Sequence, residues 1–452
     1  MKKIISLAII FATIVLVSCE DDFEPLLTAT FEAEEFAFDF EGGSETFELE
    51  SNESWSINDL PDWIFVKVKD NGPTTRSTTY VKGKKEITIV VLKNEEYASR
   101  EAELVFSSLS RKKIKVLIQQ AQKPQLLGYW ILSEGYAGQN NTELAWYDIA
   151  KGVLIKNQFL ASNGTKLGDT GNDLQIYGSK MYCVVTGPGM GAAATEGTNY
   201  IEVINPANGK SIKRIPFTDA KGAAAKPRNI VFEDGKGYIS SYSNEVVRLD
   251  TATLTLDAFA TLSGTLAEGL AINDGKIYVC NSGHGADNKI SVVDIDKMQE
   301  VKVITTAKNP TSIVSTAKGE LFFNTNYPDY KLYKLTTEPE NIEEIKNISA
   351  SSLTFTNNSV YTCSFSWTTY KGYSDRYNLT TNKATPLNLD LKSHGIRLLM
   401  EYKIGAINDV DDIFISGMGD DIIIYDTITK EIKHTFNTGI PNGSGVVAYF
   451  KR

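Results

Sequence analysis

From Pro124 onward the chain repeats one pattern of apolar and polar positions. A short apolar segment centred on an aromatic residue is followed by a loop. A second apolar segment then ends in a polar turn. The first segment reads LGYWILS, SKMYCVV, GKGYISS, GKIYVCN, GELFFNT, NSVYTCS and DDIFISG. The second reads LAWYDIA, IEVINPA, VVRLDTA, SVVDIDK, LYKLTTE, RYNLTTN and IIIYDTI. Short runs rich in Val, Ile, Tyr and Phe, bounded by Gly, Asn and Asp, predict strands. The aromatic centres are Tyr129, Tyr182, Tyr238, Tyr278, Phe322, Tyr361 and Phe414, spaced 39 to 56 residues apart. A repeat of roughly 40–50 residues, made of strands with almost no helical period, predicts a β-propeller. Seven copies predict seven blades over residues 126–452.

Each blade resolves into four strands, A to D. In the fourth, A is GLAIND, B is GKIYVCN, C is KISVVDI and D is EVKVITT. The propeller region opens on a strand B, with no strand A before it. The missing strand is expected at the far end, where SGVVAYF (444–450) matches EGLAIND. The C-terminal strand should therefore close the ring and remove two open sheet edges. In such blades the B–C and D–A loops share one face, and the A–B and C–D turns share the other. The chain enters at the A–B face, so the long loops should point away from whatever holds the N-terminus.

Residues 24–122 follow a different pattern. ETFELES, WIFVKVK, KEITIVVL, AELVFSS and KIKVLIQQA alternate or carry β-branched residues, with Asn-Gly and Gly-Gly pairs between them. A small Ig-like β-sandwich is expected, making the whole chain all-β. The pattern SNESWSINDLPDWIFV, then KNEEYASREAELVFSS, then VLIQQA resembles a BACON domain, with Trp55, Trp63, Arg100 and Gln119 at its recurring positions. Either Trp55 and Trp63 stack on a sugar, or they fill the small core and the domain serves as a stalk.

The N-terminus carries an address. Lys2 and Lys3 precede an apolar run, Ile4 to Val17, that is short for a bilayer span. Leu16-Val17-Ser18-Cys19 resembles a bacterial lipobox, which implies cleavage after residue 18 and lipidation of Cys19. An uncleaved anchor is the other reading. Several acyl chains on one cysteine would anchor the protein firmly in the outer membrane. Glu20-Asp21-Asp22 makes residues 19–23 an acidic tether, similar to the surface-export signal of Bacteroidetes lipoproteins, which implies a location facing the cell exterior. Losing residues 1–18 removes two lysines and no acids, so the net charge moves from −10 to −12. An acidic surface repels phosphate backbones, and no nucleic-acid partner is expected.

The remaining cysteines, Cys183, Cys280 and Cys363, fall in separate predicted strands without metal-ligand spacing, and read as buried thiols. No metal or cofactor is expected. HExxH, CxxC, GxSxG and GxxxxGK[ST] are absent from the sequence. Asp and Asn in the C–D turns suit plain turn chemistry. Asp250-Thr251-Ala252 and Asp426-Thr427-Ile428 also match the D-[ST]-aliphatic pattern of Bacteroidetes O-glycosylation.

The B–C and D–A loops differ from blade to blade and are rich in Gly, Asn and Tyr. Constant strands with variable aromatic loops on one face describe a recognition surface. The candidate ligand-binding residues are Tyr136, Arg228, Tyr242, Glu268, His284, Asp287, Tyr327, Tyr330, Trp367, Tyr370, Tyr373, His394 and Arg397. Tyr327, Tyr330, Trp367, Tyr370 and Tyr373 should form one aromatic wall. The charged residues should ring the channel mouth. A few aromatic contacts, each giving roughly 1 kcal/mol beyond area, suffice for micromolar capture. The competing class is a hydrolase or lyase, for which Glu268, Asp169, Asp173 and His394 would have to converge. No paired general acid and base is visible, so no enzyme is expected. A glycan- or protein-binding adhesin is the other alternative.

NGTKLGDTGNDLQIYGSKMYCVV, with GLAINDGKIYVCN and ISVVDID, resembles the DUF5074/YncE-like propeller lipoproteins of Bacteroidetes. Some of these capture corrinoids at the surface and pass them to a TonB-dependent transporter. The resemblance implies a similar delivery role for a small-molecule ligand; the added BACON-like domain departs from the plain propeller and leaves glycan or peptide ligands open. It carries no residue signature for a corrinoid.

Overall fold

The computed structural model describes residues 23–31, 35–69, 73–74, 78–189 and 192–452. The signal segment 1–18, Cys19 and the tether through Asp22 lie outside the described residues. The chain forms two compact units, which divide between Gln125 and Leu126.

The first unit is a sandwich of two five-stranded sheets. Gly43–Ser51, Gly83–Val91 and Ile64–Val68 form the centre of one sheet, and Lys113–Gln120 and Arg100–Ser108 that of the other. Their burial alternates residue by residue, as a half-solvated sheet requires. Leu49, Ile57, Ile64, Ile87, Leu104, Phe106 and Ile118 make the core. Trp55 belongs to that core, 1 % exposed and stacked on Tyr80 at 4.5 Å. Trp63 lies under the Arg100 guanidinium at 4.4 Å. Arg100 is fixed by Gln120 Oε1 at 2.8 Å and by the carbonyls of Leu92 and Lys93. Both tryptophans are thus packing residues. The glutamine that holds Arg100 is Gln120, which follows Gln119 on the same strand.

The second unit contains seven four-stranded antiparallel sheets. Every predicted aromatic centre lies on a strand B and is buried. Strands A are Gly443–Lys451 in blade 1, then Gly171–Tyr177, Pro227–Glu233, Ala267–Asn273, Pro310–Ser315, Ser352–Thr356 and Glu401–Ala406 in blades 2 to 7. Each strand A neighbours the next, and that of blade 7 neighbours that of blade 1. The ring is closed. Closure follows the expected route: the sheet of blade 1 runs Val153–Ile155, Glu143–Asp148, Gln125–Ser133, Gly443–Lys451.

Strands B are apolar on both faces because each face meets a different blade. Lys180–Val185 and Lys276–Asn281 are buried at every position after the first. The described residues form one apolar core at each of the seven blade junctions. The closing junction joins Tyr129 and Ile131 of blade 1 to Ile422, Ile424 and Phe436 of blade 7. Val446 and Ala448 of the C-terminal strand complete it. Cys183, Cys280 and Cys363 are free and buried in strands B, and burial pushes their thiols well above the usual range.

The C–D turns are held by their own side chains. Asp250 accepts from the backbone N–H of Ala252 and Thr253, and Asp426 from Ile428 and Thr429. The two glycosylation motifs are closed off in the folded chain. Thr251 and Thr427 are 9 % and 3 % exposed, and their hydroxyls donate to Gly235 O at 2.6 Å and Asp411 O at 2.5 Å.

Deleting residues 443–452 removes strand A of blade 1 and opens the last junction. We expect loss of the cooperative thermal transition of the propeller, read by near-UV circular dichroism. A truncated chain that melts as the full one does would refute ring closure through this strand.

Candidate ligand-binding site

A cavity of about 680 Å³ opens on the face that carries the B–C and D–A loops. Its floor is built from the first residues of the strands A. In blades 2, 3, 4, 5 and 7 the A–B register shifts at that point, between Gly171 and Asp173, Pro227 and Ile230, Ala267 and Leu270, Pro310 and Ser312, and Glu401 and Lys403. A β-bulge bends the strand and re-aims its side chains. The bulged stretches contain Asn172, Arg228, Asn229, Glu268, Thr311 and Tyr402, all of which line the cavity.

These side chains are joined into a network. Arg228 Nε donates to Glu268 Oε2 at 3.0 Å, and its guanidinium lies over the Tyr242 ring at 4.8 Å. Tyr242 Oη donates to Glu268 Oε1 at 2.6 Å. Asn172 donates to Arg228 O at 2.5 Å, and Lys403 Nζ donates to Asn172 O at 2.8 Å. Beyond the lining, Tyr402 Oη donates to Glu134 Oε2 at 2.7 Å. Burial alone would draw the Arg228 guanidinium down, but the Glu268 carboxylate reverses this and leaves it above its usual value. Burial pushes the Glu134 carboxyl up and pulls the Lys403 ammonium down.

One side of the mouth is aromatic. Tyr327 and Tyr330 come from the B–C loop of blade 5, with ring centroids 6.3 Å apart. Phe365 and Trp367 come from the end of strand B and the loop of blade 6, edge to face at 5.1 Å. All four line the cavity. Tyr327 and Trp367 are 70 % and 54 % exposed, so they offer apolar surface to solvent.

The sequence-predicted residues thus divide. Arg228, Glu268, His284, Tyr327, Tyr330 and Trp367 line one cavity. Tyr242 braces Glu268 from behind and meets the His284 ring at 5.6 Å. Tyr370 packs edge to face on Trp367 at 6.1 Å. The other five lie outside the lining. Asp287 is buried and serves as a loop brace, accepting from Thr265 N and Asn288 N at 2.7 Å each. His394 and Arg397 sit exposed on the D–A loop between blades 6 and 7, with His394 Nδ1 3.0 Å from Asp390 O. Tyr136 is exposed on its B–C loop, and Tyr373 is exposed on strand C of blade 6, Lys371–Asn378, paired with Ser364. Glu134, Glu401, Tyr402 and Lys403 were missed by sequence reasoning. Aligning the starts of the strands A would have found the last three.

Of the four residues weighed for catalysis, Asp169, Asp173, Glu268 and His394, only Glu268 lines the cavity. Asp169 accepts from the backbone of Gly138 and Asn140, and Asp173 from that of Leu174 and Ile230. Glu268 is held by Arg228 and Tyr242. Among the described residues no group of three His, Cys, Asp or Glu is arranged to hold a metal ion.

Glu401 is the outlier in this wall. It is 4 % exposed, its Oε2 has no hydrogen-bond partner, and its Oε1 meets only Ser374 Oγ at 3.4 Å. The carboxylate sits in the space that a Cβ on Gly372 would take, so a larger residue there would displace it. Burial pushes the carboxyl up to about 7. A raised acid binds protons more tightly in the folded state than in the unfolded one, so its contribution is lost as pH rises from about 4.5 to about 7. We expect Glu401→Gln to be more stable than the parent by about 1–3 kcal/mol at pH 8 and to show a smaller or reversed gain at pH 5, measured by urea unfolding. An equal effect at both pH values would contradict the assignment.

Comparison with known proteins follows the architecture. Residues 127–440 match the family described as "Domain of unknown function (DUF5074)", and residues 53–121 match BACON, described as "Putative binding domain, N-terminal". No curated protein matches. Among solved structures, the chain is similar to U3-55K (10 % identity, TM-score 0.46, covering 62 % of this chain and 81 % of that one). It is also similar to hydrazine synthase of Kuenenia stuttgartiensis (13 %, 0.45, 57 % and 76 %) and to the Pan2 WD40 domain of Neurospora crassa (11 %, 0.45, 62 % and 88 %). With most of its propeller covered by that profile, the chain belongs to the DUF5074 family and carries a BACON domain ahead of it.

Proposed function

We propose that this protein is a lipid-anchored surface protein whose propeller captures a nutrient ligand and hands it to an outer-membrane transporter of the TonB-dependent class. A corrinoid is the ligand implied by the family resemblance. The observation that carries the reading is the 680 Å³ cavity with a bonded polar floor and an exposed aromatic wall. Its volume falls in the range of small-molecule sites, roughly 300–1,000 Å³. Polar groups at the floor fix orientation, while Trp367 and Tyr327 supply apolar contact at low entropy cost. The role is binding rather than catalysis: Glu268 is committed to Arg228 and Tyr242, and no second carboxyl is paired with it as acid to base.

Two experiments test this reading. Calorimetric titration of the purified protein with cyanocobalamin should give micromolar or tighter binding, and Trp367→Ala should weaken it about tenfold, the value of one good aromatic contact. Absence of binding would exclude the corrinoid. Cys19→Ser should deplete the protein from the outer-membrane fraction, because the acyl chains supply the anchor there. A variant that stays in the outer-membrane fraction at the parent level would refute lipid anchoring.

A further inference from the structure

The cavity floor holds two cations with most of their hydrogen-bonding capacity uncommitted to the protein. A guanidinium has five N–H donors and an ammonium three. Among the described residues Arg228 makes one side-chain hydrogen bond, through Nε to Glu268, and Lys403 makes one, to Asn172 O. Both residues line the same cavity. Asn172 ties them together, since its amide donates to Arg228 O while its own carbonyl receives Lys403.

The setting is unusual for this chain. Its net charge is −10, yet two cations from blades 3 and 7 meet at one mouth. The carboxyls near them are Asp173, Glu134, Glu268 and Glu401, and Asp173 is already held by the backbone N–H groups of Leu174 and Ile230. Glu268 is shared between Arg228 and Tyr242. Glu134 and Glu401 are both buried, and burial favours their neutral forms. Burial works against Lys403 as well, and an incoming anion would reverse that. Trp367 and Tyr327 line the same cavity.

We propose that the cavity binds a ring-bearing carboxylate, with its anionic group on Arg228 and Lys403 and its apolar face on Trp367 and Tyr327. The proposal rests on the capture reading of the same cavity and names the ligand class. The acidic exterior would slow the approach of an anion, so selectivity arises at the floor and not from long-range steering.

Three probes with one two-ring face separate the possibilities: 2-naphthoate, 2-naphthalenemethanol and 2-naphthylmethylamine, titrated calorimetrically into the purified protein at neutral pH and low salt. We expect the carboxylate to bind at least about tenfold more tightly than the alcohol, the scale of one charge-assisted hydrogen bond. Lys403→Met, checked for an unchanged thermal melt, should retain alcohol binding and lose most of that preference, and Lys403→Arg should restore it. Added sodium chloride should weaken the carboxylate and leave the alcohol unchanged, a readout that needs no variant. Equal binding of carboxylate and alcohol, or tighter binding of the amine, overturns the anion assignment while leaving capture intact. Failure of all three to bind overturns the anion assignment, while capture stands or falls with the cyanocobalamin titration.

Discussion

Strand B of every blade carries apolar side chains on both faces, and each face is covered by a different neighbour. No blade can therefore complete its own core. Tyr182 packs into the junction of blades 2 and 3, while Cys183 beside it packs into that of blades 1 and 2. This alternation runs round the ring and ends where blade 7 meets blade 1. Burial of apolar area stabilises each junction, and removing one side of any junction exposes the other. Closure is the condition on which the seven cores depend jointly.

The closed ring gives the mouth its fixed geometry. Arg228, Glu268 and Tyr402 project from strands held on one side by strand B and on both flanks by neighbouring strands A. The bulges free these few residues from the ladder without disturbing the strands below them. Charged groups there sit in partial burial, so their energies depend on partners: Glu268 has two and Glu401 almost none. That contrast marks Glu401 as a costly residue in the folded chain.

Much of the fold is legible in the sequence because strand B repeats the same physical demand seven times. An aromatic flanked by apolar residues is the signature of a strand buried on both faces, and the unmatched SGVVAYF segment shows where the ring closes. The mouth is harder to read. Asp287 and His394 looked like site residues because charged loop residues near glycine suit ligand contact, yet one braces a backbone turn and the other lies on an outer loop. Tyr402 and Lys403 stayed hidden because a bulge breaks the period-two alternation that assigns faces. Glu134 follows strand B directly and reads as an ordinary loop acid. Its burial comes from blade 7, which lies far away in sequence. In the first unit, Trp55 was legible as core because so small a sandwich has few other ways to fill its interior.

The pairing of the last strand with the first blade sets an order on biosynthesis. A ribosome delivers blade 1 early but with one edge unpaired, and that edge waits until Lys451 has emerged. During the whole interval Gln125–Ser133 presents open backbone groups of the kind that recruit foreign strands. A chain built this way gains from being kept extended until it is released whole, and threading through a membrane pore before folding would do that.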